Sequence, residues 1–185
     1  AGKKDEIIQD LKKAKWYLER KIDILEMNNI FNPSKENPIE DTPEFKQIQE
    51  YIKNGSKGNL DLQKSPIKQL PPNLIKVGGG LDLMNTPITQ LPNNLKVGGS
   101  LYLGYTQITH LPDNLTVGGD LNLYNSPIIH LSNNLKVGGS LYLNSTQITH
   151  LPDNLKVGYN LFIYNTKITQ LPDNLKIGGG YLYKS

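Results

Sequence analysis

Three histidines, His110, His130 and His150, stand twenty residues apart in this chain. Imidazole is the commonest metal ligand and titrates nearest neutral pH, so such a row first suggests a metal centre or a pH switch. Zinc needs ligands that converge on one point at about 2.0–2.1 Å. A period of this length instead sets side chains next to one another on successive turns of a repeat, where they run parallel. Gln90 and Gln170 occupy the same repeat position, and an amide replaces an imidazole in a polar stack far more readily than in a zinc shell. The row therefore reads as an exposed polar ladder, and no metal is expected. A second row, Lys76, Lys96, Lys136, Lys156 and Lys176, is interrupted by Thr116. It could attract phosphate or an acidic surface, but charge repulsion that discourages edge-on stacking is the plainer reading. Paired glycines such as Gly98-Gly99 lack the following helix and the lysine-serine of a phosphate loop. Asp113, Asp153 and Asp173 recur in turns, and Asp61 beside Asp82 is a thin carboxylate pair with no evident acid–base counterpart. Neither a catalytic constellation nor a cofactor site is expected.

Composition narrows the classes further. The 20 Lys and Arg residues nearly balance 17 Asp and Glu, for a net charge of +3, and the one arginine is Arg20. A reader of bases or phosphates normally carries more guanidinium forks, so nucleic acid is not the expected partner. Cysteine is absent, which removes disulfides, thiolate metal sites and thiol nucleophiles and is compatible with a reducing cytoplasm. No apolar run approaches the roughly 18 residues of a membrane span, and no signal peptide is visible. The start, Ala1-Gly2 without Met, reads as the remnant of a cleaved tag.

The elements that must position these residues follow two grammars. Residues 1–57 read as a helical segment. Apolar residues recur at helical spacing from Asp5 to Met27, and a second helix opens at Pro43, carries Phe45, Ile48, Tyr51 and Ile52, and stops at Asn54-Gly55. Residues 58–185 repeat. Aligned on the first leucine, Leu60, Leu81, Leu101, Leu121, Leu141, Leu161 and finally Tyr181 are spaced by 21 once, owing to an extra residue near Ile75, and by 20 thereafter. A fixed period in this range means a solenoid, here of about six coils plus a terminal strand. In L-x-L the leucines point inward and the middle residue outward. The hydroxyls Ser65, Thr86, Thr106, Ser126, Thr146 and Thr166 stack one per coil, where they can bond backbone at the corner. Pro-Asp-Asn makes a tight turn. The Gly-Gly pairs are expected to take left-handed angles and to let one coil approach the next.

This repeat resembles the short 20-residue leucine-rich repeat of bacterial proteins, through L-x-L, a polar ladder residue, and L-P before the turn, over roughly residues 58–185. It departs in using Thr or Ser for the ladder Asn and in placing Gly-Gly before the strand, which leaves a parallel β-helix open. The helical segment resembles the N-terminal cap of secreted bacterial effectors of this class. Some of those carry a Cys-dependent ubiquitin ligase domain after the repeats, an activity this cysteine-free chain does not inherit. The resemblance implies an α+β repeat solenoid, a leucine-rich-repeat-like stack of parallel strands behind a two-helix cap.

The outward strand positions then carry the functional expectation. Asp82, Tyr102, Asn122, Tyr142 and Phe162 form one row; Met84, Tyr124, Asn144 and Tyr164 form a second, with Tyr105 just beyond. The core is almost wholly Leu, Ile and Val, so packing does not need these aromatics. A strip of exposed Tyr and Phe is typical of interface anchors. These ten residues are the expected partner-binding site of a non-enzymatic module that grips a protein, as a host-factor-binding or inhibitory protein of bacterial or viral origin would. The Lys, Asn, Ile and Tyr content suits an AT-rich genome of that kind. A carbohydrate- or nucleotide-binding solenoid that stacks on the same tyrosines is the alternative.

Overall fold

A computed structural model describes residues 42–133 and 135–184; the helix expected over residues 5–27 lies outside them. The second expected helix is present as α1 (Pro43–Lys53), in one compact unit with the repeats, Pro43–Ser185. Pro43 and Glu44 suit its first turn and Lys53 its last, where each charge opposes the nearby end of the helix dipole. Its apolar side is spent on the first coil. Ile48 is fully buried, and Tyr51 and Ile52 pack against the same core. The Tyr51 hydroxyl donates to the Gly58 carbonyl (2.8 Å) and accepts from the Gly78 amide (3.1 Å), while Gln47 donates to the Asp61 carbonyl (3.0 Å). These bonds occupy backbone groups that an uncovered first coil would leave to water.

The repeats form a parallel β-solenoid of about six coils with two sheets. The first has seven strands in chain order, β1 (Leu60–Asp61), β3 (Leu81–Asp82), β5 (Leu101–Tyr102), β7 (Leu121–Asn122), β9 (Leu141–Tyr142), β11 (Leu161–Phe162) and β13 (Leu182–Tyr183). The second has six, β2 (Lys76–Val77), β4 (Lys96–Val97), β6 (Thr116–Val117), β8 (Lys136–Val137), β10 (Lys156–Val157) and β12 (Lys176–Ile177). Each strand is two residues long because a coil of this length must turn several corners. The leucines of β1 to β11 in the first sheet and the valines of the second point into one continuous core with Ile88, Ile108, Ile128 and Ile148, while Leu182 of β13 stays exposed.

The corners explain the rest of the repeat. Thr86, Thr106, Ser126, Thr146 and Thr166 each donate to the carbonyl three residues back at 2.6–2.7 Å; Ser65 alone has a buried hydroxyl without a partner. The turn after the proline closes through Leu115 N–H to the Pro112 carbonyl and its counterparts at Leu155 and Leu175. A ladder not foreseen from the sequence runs along the residue before each first-sheet strand. The side-chain oxygens of Asn59, Ser100, Asp120, Ser140 and Asn160 accept the N–H one coil on, at 2.7–3.2 Å.

Two expectations are corrected. The Gly-Gly pairs do not take left-handed angles, since Gly55 and Gly58 are the glycines with positive φ. They are needed for approach alone: a Cβ on Gly98 or Gly118 would drive into the carbonyl oxygen of Gly78 or Gly98. The left-handed corner that recurs in each coil falls instead on Lys64, Asn85, Tyr105, Asn125, Ser145 and Asn165, with φ between 52 and 59°; Ser56 and Asn94 are the other non-glycine cases among the described residues. The final strand is the second correction. Leu182 and not Tyr181 pairs with Leu161, and Tyr183 pairs with Phe162. The extra residue within Gly178-Gly179-Gly180 shifts the register by one, which turns Tyr183 outward.

Candidate binding surface

The outward positions of the first sheet run in strand register as Asp61, Asp82, Tyr102, Asn122, Tyr142, Phe162 and Tyr183. Two chemistries share this row. Asp61, Asp82 and Asn122 fold back and accept the N–H two residues on, from Gln63, Met84 and Tyr124, at 2.9–3.0 Å. The aromatic members stack on one another. Tyr142 and Phe162 lie 4.5 Å apart and Phe162 and Tyr183 4.4 Å apart, all with planes within 5°. Tyr102 stands apart between Asp82 and Asn122. The expected strip is therefore two aromatic groups, because Asn122 interrupts it.

In the second row Met84 and Tyr124 are half-buried. Tyr124 meets Tyr105 edge-on at 5.2 Å and 74°. Their hydroxyls share a hydrogen bond that holds the Tyr105 phenol above its usual pKa. Tyr105 is 44% and Tyr164 43% exposed. Asn144 sits between Tyr124 and Tyr164 in the row yet is only 4% exposed, and its amide oxygen is buried without a hydrogen-bond partner. Tyr183, which the shifted register brings into the stack, is the member that sequence reading missed; the third glycine of Gly178-Gly180 was the available signal.

Burial raises the Asp82 carboxyl above its ordinary range, the Met84 amide partly offsets this, and the neighbouring Asp61 charge adds to it. On other faces, His110–His130 and His130–His150 ring centroids lie 6.1 and 5.3 Å apart and tilted, and the rings of His110 and His150 turn to Thr109 and Thr149 at 2.9 Å. Among the described residues no group of three or more His, Cys, Asp or Glu side chains is placed to hold a metal. No helix among them is long and apolar enough to cross a membrane. A shallow cleft of about 260 Å³, lined by Asp113, Asn114, Leu115, Thr116 and Lys136, lies where Thr116 breaks the lysine row. Set against known proteins, the chain matches no family model and no curated protein.

Proposed function

We propose that this protein is a non-catalytic binding module whose first-sheet strand face grips a protein. The observation that carries the reading is the gathering of Tyr105, Tyr124, Tyr142, Phe162, Tyr164 and Tyr183 on the outward face of a repeat whose core is Leu, Ile and Val. Aromatic side chains supply large contact area at low entropy cost, which is why they dominate interface hot spots. A tyrosine held at φ 59° supports the same reading, since a bulky residue in the left-handed region costs energy that folding alone does not require. The ring geometry disfavours the carbohydrate or nucleotide alternative. Stacking needs open ring faces, and both faces of Phe162 and one face of Tyr142 are closed against neighbours at 4.4–4.5 Å. The likeness to short leucine-rich repeats, and with it a role in binding or inhibiting a host factor, belongs to this proposal and rests on the period, the L-x-L pattern and the hydroxyl ladder.

The test is affinity capture from lysate with the intact protein, the double variant Tyr124→Ala/Tyr164→Ala and the control Lys136→Ala/Lys156→Ala. A captured protein should lose about thirtyfold or more in affinity with the aromatic variant and keep its affinity with the lysine control. The reverse pattern for every captured protein would leave the strand face without a partner and contradict the reading, and a glycan or nucleotide as the sole tyrosine-dependent ligand would favour the alternative.

A further inference from the structure

The second sheet presents its own surface. Lys76, Lys96, Lys136, Lys156 and Lys176 stand in exact strand register on its exposed side, with Thr116 filling the one gap. Each alternates with a buried Val or a half-buried Ile, so the backbone holds every lysine outward. Like charges directly across a strand pair oppose pairing. The turn carboxylates Asp113, Asp153 and Asp173 lie three residues ahead of positions 116, 156 and 176, but no hydrogen bond or ion pair engages these lysine ammonium groups among the described residues. The sheet thus carries a register-aligned cationic row, free of ion pairs among the described residues, in a protein whose net charge is only +3.

We infer that this row is a second docking surface, for the acidic face of an α-helix on a partner protein. Spacing selects the occupant. Neighbouring strands lie about 4.8 Å apart, so the row spans roughly 24 Å from Lys76 to Lys176. A helix lying along it brings one carboxylate to the surface every turn, about 5.4 Å. The mismatch is about 0.6 Å per step and about 3 Å over the row, within reach of flexible lysine side chains. An extended acidic peptide repeats its face every 6.6–6.8 Å, falling out of step by about 9–10 Å over the same distance. Duplex DNA rises about 3.4 Å per nucleotide along each strand and slips by about 7 Å. Lysine meets a carboxylate or a phosphate alike as a point charge, so it is the spacing that separates these occupants. The inference is independent of the aromatic face, which lies on the other sheet.

The experiment uses the intact protein and a labelled synthetic helix of about five turns with glutamate once per turn on one face and alanine elsewhere. Binding is read by fluorescence anisotropy at low and moderate salt. The one-faced helix should bind and weaken steeply with salt. Lys96→Gln/Lys136→Gln/Lys156→Gln should lose about tenfold or more in affinity, and Thr116→Lys, which completes the row, should gain. An isomeric peptide with glutamates spread around the helix should bind several-fold more weakly. Equal binding of the two peptides, an unchanged affinity in the triple variant, or tighter binding of a single-stranded oligonucleotide of equal charge would each overturn the inference. Circular dichroism of the variants checks that these exposed substitutions leave the fold intact.

Discussion

At the scale of single residues, two side chains on the strand face sit in environments that oppose them. Asp82 stands directly across from Asp61, partly buried, with its carboxyl raised above the ordinary 3.8. A carboxyl raised in the folded state binds its proton more tightly there than in the unfolded chain. Its stabilising contribution is therefore complete below the unfolded pKa and is lost as pH rises through the folded one. Asn122 accepts the equivalent N–H bond without charge. Asp82→Asn should raise stability at neutral pH by about 0.2–1 kcal/mol and flatten the loss of stability on leaving acid, which denaturant midpoints across pH would show. An unchanged or lowered midpoint at neutral pH would contradict this. Tyr105 is the second case. A left-handed backbone costs about 1–2 kcal/mol for an ordinary residue, while its edge contact with Tyr124 is worth about 0.5–1.5 kcal/mol. Relief outweighs loss, and asparagine already fills this position at 85, 125 and 165. Tyr105→Asn should therefore stabilise by about 0.5 kcal/mol while weakening partner binding. A destabilised variant would mean that the tyrosine is there for packing.

At the scale of elements, the repeat was legible where one position has one job. Inward leucines, the L-P turn and the hydroxyl ladder could be read because Leu, Pro and Ser/Thr recur for a physical reason, with Ser132 for the proline and Ile163 for a leucine as departures. The residue before each strand could not, because Asn, Ser and Asp all supply the same acceptor oxygen and Gly80 breaks the series, so the column looks variable while the bond persists. The left-handed corner was misplaced onto Gly-Gly for the opposite reason, as glycine answers two needs and here only close approach demanded it. The second sheet was missed because a Lys-Val pair is too short to carry an alternating pattern. On the outward face of the first sheet, the aromatics before the last coil follow from the L-x-L alternation, and Tyr183 was lost to one extra glycine. Asn144 is legible as outward-facing but not as buried, which depends on the tyrosines flanking it in the row. The hydroxyl ladder gives a direct prediction. Thr146→Val keeps the shape and removes the 2.6 Å hydroxyl bond to the buried Leu143 carbonyl, which keeps the residue-146 N–H at 3.2 Å, so it should cost about 0.5–1.5 kcal/mol. Ser65→Ala, whose hydroxyl has no partner, should change stability by about 0.5 kcal/mol or less. Equal effects in equilibrium unfolding would show that the ladder bonds contribute nothing specific.

At the scale of the whole molecule, each coil touches only its neighbours, so stability passes along the array and depends on its ends. Helix α1 covers the first coil through Ile48, Tyr51 and Ile52. Ile48→Ala should cost about 2–5 kcal/mol, and hydrogen exchange should quicken first in the coils nearest Leu60. Uniform loss of protection across all coils would show instead that the array unfolds as one unit. The central functional claim is that the first-sheet strand face is where a protein partner sits, and site-specific cross-linking tests it most directly. A photo-reactive phenylalanine would replace Tyr164, exposed at the strand face, and in a separate protein Thr109, exposed beside the histidine row. One discrete protein adduct is expected from position 164, competed away by unlabelled protein but not by Tyr124→Ala/Tyr164→Ala, and none from position 109. An adduct from position 109 alone, or none from 164 while capture still succeeds, would contradict it.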